Sequence, residues 1–222
     1  EVIRALQKLG MSLGEIKEYM ENRSPERFMS MMDGKKRQID EEIRRLKNMK
    51  RFILHEEESV RLAMNTALDE PRLVERDREY LLVSDISAGL ERKAAVEIAE
   101  HVRMQEKYNG AVGAVGSIYL GEDLERGIYD RCVKVYTRLD KKTVSHRVQN
   151  RPEGTYVELY SRGHLWNMEK SYRLITAFAG ERGIRLGKIW YEDLMLDELT
   201  VKAYEQYIVK VMVPVGNKVI NP

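Results

Sequence analysis

Between Lys35 and Ala67 the chain contains neither proline nor glycine, and that stretch constrains the fold more than any other feature. About 30 residues at a rise of 1.5 Å each predict a helix on the order of 45 Å long. Along it, Ile39, Ile43, Leu46, Ile53 and Val60 follow the alternating four-three spacing of a coiled-coil seam, interrupted at Lys50 and Glu57. One thin apolar stripe cannot be buried by the helix that bears it. A partner helix solves the problem, and a second copy of the same chain is the commonest partner, so a homodimer is expected. The alternative is that the helix lies along its own C-terminal half.

Charge on this helix is uneven. Residues 35–51 carry Lys35, Lys36, Arg37, Arg44, Arg45, Lys47, Lys50 and Arg51 against Asp40, Glu41 and Glu42, and Glu56, Glu57 and Glu58 then reverse the sign. Pairs one helical turn apart on a solvated face account for most of this. A phosphate contact near residues 35–37 is the competing explanation. The whole chain carries a net charge of only +2, so composition gives no general argument for nucleic-acid binding.

Shorter helices precede the long one. Val2, Ile3, Leu6 and Leu9 share a face from the first residues onward. A helix that starts without a cap suggests that a preceding part is missing. Gly10-Met11-Ser12 ends this helix. Ser12-Leu13-Gly14-Glu15 matches a capping box that opens the next, carried by Ile16, Tyr19 and Met20. Ser24-Pro25 restarts the chain as a third short helix, with Phe28, Met29, Met31 and Met32 on its apolar side and a break at Asp33-Gly34.

After Leu68-Asp69-Glu70-Pro71 the chemistry changes. Of twelve tyrosines and two tryptophans, all but Tyr19 lie beyond residue 70. Strands are expected at 80–83, 114–120, 129–138, 156–160, 187–196 and 205–214. Helices are expected at 90–108, with Ala94, Ile98 and Val102 inward, and at 165–179. This is strand–helix–strand–strand written twice, over about 78–140 and 152–215, an α+β arrangement with a groove between the copies suited to a small molecule. The expected domains are 1–34, a helical N-terminal piece; 35–68, the dimerisation helix; and 72–222, the duplicated domain.

Glu192 is the leading candidate for chemistry. In Lys188-Ile189-Trp190-Tyr191-Glu192-Asp193-Leu194-Met195-Leu196, strand alternation sets Glu192 on one face with Trp190, Leu194 and Leu196. A carboxylate among large apolar groups requires a basic partner, a proton or a cationic ligand. Trp166, opening the helix of the same repeat, and Tyr207, starting the last strand, are expected nearby. Tyr191 is adjacent, although alternation points it to the opposite face. These five residues, Glu192, Trp166, Tyr207, Trp190 and Tyr191, are the candidate ligand-binding set. An aromatic box around a carboxylate suits a lipophilic cation. An aromatic-rich core with a Glu reaching water at a strand end is the plainer explanation.

Other signals are weaker. Gly110, Gly113 and Gly116 follow a helix and precede a strand, the reverse of the dinucleotide-binding context. His55, His101, His146 and His164 are scattered and Cys132 has no companion, so no metal-ligand spacing exists. Cys132 reads as a mid-strand packing residue. A lone cysteine excludes an intrachain disulfide and fits a reducing cytoplasm. No apolar run approaches the roughly 20 residues that span a bilayer. No cofactor motif or catalytic nucleophile is recognised.

The stretch from Ile3 to Lys17, with Leu9-Gly10-Met11-Ser12-Leu13-Gly14-Glu15-Ile16 at its centre, resembles the second half of a MerR-family DNA-binding domain. The long helix then corresponds to that family's antiparallel dimerisation coiled coil. Pro152-Glu153-Gly154-Thr155-Tyr156, Gly163, Trp190-Tyr191-Glu192, Glu205-Gln206-Tyr207 and Val211-Met212-Val213-Pro214 resemble a GyrI-like effector-binding domain of the multidrug-sensor type. The resemblance implies that promoter DNA is read through a helix-turn-helix and wing in the missing N-terminal part. It places Glu192 on the acidic residue that faces cationic drugs, and Tyr207 and Trp166 on or near aromatic pocket positions. It also implies that effector binding in the dimer repositions the DNA-binding heads. Small residues at Ala94-Ala95 and Val112 depart from the aromatic positions of such pockets, and the cysteines of metal-sensing members are absent. The expected function is therefore a ligand-responsive, non-enzymatic transcription regulator in the cytoplasm. The alternatives are a GyrI-like hydrolase using the same Glu as a base, or a protein-binding module.

Overall fold

The computed structural model describes residues 1–87, 91–105, 107–108, 111–139, 142–163 and 168–216. Among these, the chain divides into two compact units, Glu1–Met49 and Lys50–Pro222.

The first unit holds α1 (Val2–Lys8), α2 (Leu13–Glu21) and the beginning of α3 (Pro25–Asn65). The expected capping box is formed. The Glu15 amide donates to Ser12 Oγ at 3.3 Å, and the Ser12 amide donates to Glu15 Oε2 at 2.7 Å. Ser24 caps α3 in the same way, accepting from the Arg27 amide at 3.2 Å, with Pro25 as the first helical residue. Leu6, Met11 and Ile16 form the small core, with Tyr19, Met20 and Met31 against it. Gly10 follows α1 with φ +72, a conformation that favours glycine and lets the chain turn into α2.

One expectation fails in this unit. The helix does not break at Asp33-Gly34 but runs through it, so 25–65 is one element. A helical glycine disfavours the helix by only about 1 kcal/mol relative to alanine, too little to stop it when both flanks continue. Of the basic residues at 35–37, Lys35 is turned inward. Its Nζ donates to the Gly10 carbonyl at 3.3 Å and lies 4.0 Å from Glu15.

The second unit is α+β, as expected. Its eight strands are β1 (Arg72–Arg76), β2 (Glu79–Asp85), β3 (Ala111–Leu120), β4 (Lys134–Leu139), β5 (Val148–Arg151), β6 (Gly154–Arg162), β7 (Ile189–Leu196) and β8 (Ile208–Pro214). Helices α4 (Glu91–Gln105), the short α5 (Gly121–Glu125) and α6 (Glu169–Glu181) lie between them. The sheet order is β1-β6-β8-β7-β3-β4-β2-β5, antiparallel throughout. One repeat contributes β6-β8-β7 and the other β3-β4-β2, in mirrored order, so β3 and β7 form the seam. Across it Ser117 pairs with Glu192, Ile118 with Tyr191 and Tyr119 with Trp190.

Pattern reading missed β1, β5 and α5, and it extended β4 too far. The segment 129–133 is not strand. Arg131 is held there by a bidentate pair with the buried Asp123 of α5. Cys132 therefore precedes β4 rather than sitting inside a strand. It is half-buried against the apolar core, and its thiol donates to the Lys134 carbonyl at 3.0 Å. The last strand begins at Ile208, because Tyr204–Gln206 form a single turn of 3-10 helix.

The inward face of α4 is also not the one expected. Ile98 and Val102 remain 37% and 44% exposed, whereas His101 is buried, 2.8 Å from Ser84 Oγ and 3.1 Å from Thr137 Oγ1. Residues 94, 97, 101 and 105 share the inward face. The sheet beneath it presents hydroxyls, so a histidine with two partners fits better than an aliphatic chain. Burial lowers the His101 pKa to about 4, which keeps the ring neutral.

Gly116 explains the glycine spacing that carried no nucleotide motif. A Cβ there would stand 2.4 Å from the Tyr136 ring and 2.8 Å from the Glu192 carbonyl. The pairing of β3 with β4 shifts register between Val112 and Gly116. The bare glycine lets Tyr136 of β4 cross β3 and reach β7. Gly116→Ala is expected to lower stability by about 1–3 kcal/mol through overpacking, read as a lower urea midpoint, whereas Gly180→Ala, an exposed change on α6 with open space around it, is expected not to lower it.

Candidate functional site

Strand β7 is central, flanked by β3 and β8, and alternation sends its side chains to both faces of the sheet. Glu192 is fully buried on the face covered by α6. The Tyr172 hydroxyl, carried by α6, donates to Glu192 Oε1. The other oxygen, Oε2, is buried without a partner in hydrogen-bonding geometry. Burial pushes the Glu192 pKa up to about 7 from an ordinary value of 4.5, opposed by the hydroxyls of Tyr172 and Tyr119. Near neutral pH this carboxyl therefore changes between proton-bound and charged forms. Both phenols are driven the other way. Burial first, and the Glu192 charge second, raise Tyr119 and Tyr172 far above the usual phenol range, so both keep their protons as donors.

The rings around Glu192 form a cluster centred on Tyr172. Its ring centroid lies 5.7 Å from Trp190 in an edge-on arrangement, 5.7 Å from a stacked Tyr129 and 6.0 Å from Tyr119. Cys132 is close enough for the Glu192 charge to raise its pKa further, after burial, which is the larger cause. Charge, apolar walls and rotatable hydroxyl donors thus meet in one place.

The candidate residues are distributed unevenly around this centre. Glu192 and Trp190 share it. Tyr191 is on the opposite face, as alternation requires, packed with Tyr136, Tyr156 and Met212. Tyr207 precedes β8, donates to Glu198 at 3.0 Å and meets Tyr204 edge-on. Val211 is the residue paired with Glu192, so Tyr207 begins about 13 Å along the strand at 3.3 Å per residue. Trp166 lies outside the described residues, as does the side chain of Val112. Sequence reasoning did not select Tyr119, Tyr129 or Tyr172. The only local signal was for Tyr172, which lies on the apolar face of its helix with Met168, Ile175 and Ala179.

Among the described residues, no group of three or more His, Cys, Asp or Glu is placed to hold a metal ion. No helix among them is long and apolar enough to cross a membrane.

Residues 1–55 match the family described as MerR, DNA binding. The chain is 27% identical over 218 residues, 97% of its own length and 79% of the relative's, to the multidrug-efflux transporter 2 regulator of Bacillus subtilis strain 168. Two solved structures share its fold. EcmrR, in a complex with DNA, matches 96% of this chain and 80% of its own at 14% identity and a TM-score of 0.50. The EcmrR C-terminal domain matches 66% of this chain and 97% of its own at 11% identity and a TM-score of 0.52. A segment that matches the MerR DNA-binding family, a long helix and a duplicated sheet therefore follow one another in the expected order.

The raised pKa of Glu192 makes stability depend on pH. Unfolded, the group ionises near 4.5; folded, it ionises near 7. Between these values the folded state holds a proton that the unfolded state has lost, so stability falls as pH rises from about 5 to 7.5, by roughly 3 kcal/mol at most. Glu192→Gln is expected to flatten this slope and to be more stable than the parent at pH 8. Urea denaturation at pH 5 and pH 8 measures both effects, and equal slopes in parent and variant would contradict the assignment.

Proposed function

We propose that this chain is a ligand-responsive transcription regulator whose C-terminal domain binds lipophilic cations at Glu192. The observation that carries the reading is a fully buried carboxylate with one unpartnered oxygen inside a cluster of aromatic rings. A cation replaces the proton as the counter-charge, and the ring faces of Trp190, Tyr172, Tyr119 and Tyr129 supply cation–π attraction of about 0.5–2 kcal/mol each. Trp166 is proposed as a further wall. Tyr191 acts from the opposite face as support, and Tyr207 contributes only if the site extends toward the Glu198 end of the sheet. Glu192 serves as a binding group rather than a catalyst, and no cofactor is required. The Bacillus relative, a regulator of a multidrug-efflux transporter by name, supports the regulatory half of this reading.

The same reading assigns promoter DNA to the MerR-type end of the chain, a homodimer to α3 and a cytoplasmic location. Ile39, Ile43, Leu46 and Ile53 are between 43% and 56% exposed along that helix, and a stripe of this kind favours pairing with a second copy. Ile43→Glu with Ile53→Glu is expected to halve the mass measured by light scattering. A parent that is already monomeric at micromolar concentration removes the dimer.

Binding is tested by tryptophan fluorescence, since Trp166 and Trp190 are the only indoles. Tetraphenylphosphonium is expected to quench, and a neutral analogue of the same shape to quench weakly. Affinity for the cation falls about tenfold per pH unit below the Glu192 pKa of about 7 and is flat above it. Glu192→Gln loses both the preference for charge and the pH dependence. Equal binding of cation and neutral analogue, or a variant that behaves like the parent, would falsify the role of Glu192.

A further inference from the structure

Asp193 follows Glu192 and points to the opposite face of the sheet, where it enters a buried polar network. The Tyr136 hydroxyl, having crossed the notch at Gly116, donates to Asp193 Oδ1 and lies 3.5 Å from the Glu192 carbonyl. Lys210 Nζ of β8 is 2.8 Å from Asp193 Oδ2. Arg151 of β5 donates to the Tyr136 oxygen at 3.3 Å and pairs with Glu79. Arg138 of β4 stands 3.6 Å from Glu79 through Nη1, and its Nη2 lies 3.1 Å from both ring nitrogens of His55 on α3. Asp193, Lys210 and Arg151 are buried, whereas Arg138 and Glu79 are partly exposed. Asp193 is held well below the carboxylate range: burial raises its pKa, but Lys210, Arg138 and Arg151 more than reverse that.

The end of this network is a single side chain of α3. The guanidinium of Arg138 can only donate, so His55 must accept as a neutral ring. Burial, then Arg138, and Lys210 to a smaller degree keep it neutral, lowering its pKa to about 4 against the opposing pull of Asp193 and Glu58. Around His55, α3 also presents Arg51, Glu58 and the buried Ser59, while the sheet presents Glu79, Arg138, Tyr136 and Asp193. A cavity of about 340 Å³ lies on one flank of the ring. Packing therefore leaves the His55 ring room to move, and the contact with Arg138 is what fixes it.

We propose that Tyr136, Asp193, Arg138 and His55 form a relay through the sheet that makes the seating of α3 residues 50–65 depend on the state of Glu192. Glu192 and Asp193 are consecutive on one strand, so they cannot shift independently. Glu192 ties β7 to α6 through Tyr172. Asp193 ties the same strand to β4 and β8, and Arg138 carries the connection to α3. When a counter-ion replaces the proton on Glu192 and draws on the Tyr172 donor, β7 re-settles, and the only long polar side chain linking β4 to α3 among these groups moves with it. Choosing Glu192 as the input rests on the function proposed above. The wiring itself is tested without any ligand.

The experiment is hydrogen exchange of the full chain, followed over residues 50–65. Glu192→Gln alone, a permanently uncharged input, is expected to change exchange in this segment threefold or more at pH 8, where the parent carboxylate is charged. The same change made in a His55→Phe background, and separately in Arg138→Gln, is expected to leave the segment unaltered within error. Exchange in β6 and β8 serves as the check that each variant is folded. No response of residues 50–65 to Glu192→Gln overturns the relay, as does a full response that persists in both backgrounds. If these results hold but tetraphenylphosphonium does not bind, the effector assignment falls and the relay stands.

Discussion

Two neighbouring carboxylates at the centre of an eight-stranded sheet must both be removed from water, one on each face. Everything around β7 follows from how differently the two faces solve that problem. On the Asp193 side the charge is kept and surrounded by Lys210, Arg138 and Arg151, the arrangement buried ions require because desolvation alone is several kcal/mol unfavourable per ion. On the Glu192 side no cation stands against the carboxylate among the described residues. Two phenol hydroxyls and a ring cluster leave one oxygen without a partner, and the group responds by holding a proton up to about pH 7. One face is a settled structural contact. The other is an electrostatic demand that remains unmet.

The seam between β3 and β7 makes this arrangement reachable from two half-domains. Mirrored strand order places the second strand of each repeat side by side, so Tyr119 from one copy and Trp190 and Tyr172 from the other meet over a single carboxylate. A domain with only one repeat would leave β7 as an edge and Glu192 in water, where it would ionise normally.

What could be read beforehand divides along a physical line. Alternation along a strand is a local property, and it placed Glu192 and Trp190 together and Tyr191 opposite. Caps are local too, and Ser12 and Ser24 behave as their neighbours dictate. The long helix, the order of elements and the duplication were legible for the same reason. Pairing across the seam is not local, since the register that brings Ser117 to Glu192 joins residues 75 apart in sequence. Tyr119 and Tyr129 were therefore invisible as site residues. Apolar counting also misplaced the inner face of α4, because it assigns a buried position to Ile98 or Val102 and has no means of knowing that the strands below offer Ser84 and Thr137 to His101. Gly116 was legible only as an oddity of spacing. Its reason lies in the side chain that crosses it.

The half-occupied state of Glu192 has a thermodynamic consequence on the proposed reading. Below about pH 7 the vacant site holds a proton and the filled site holds an organic cation, so the apolar centre of the domain carries the same net charge either way. Occupation is then an exchange of one positive charge for another. The proton released passes to whatever buffer surrounds the protein, and the heat evolved on binding would differ between phosphate and Tris by a fraction of their ionisation enthalpies. A sensor built in this way answers to the ratio of two cations, one of them hydrogen ion, rather than to the concentration of its effector alone.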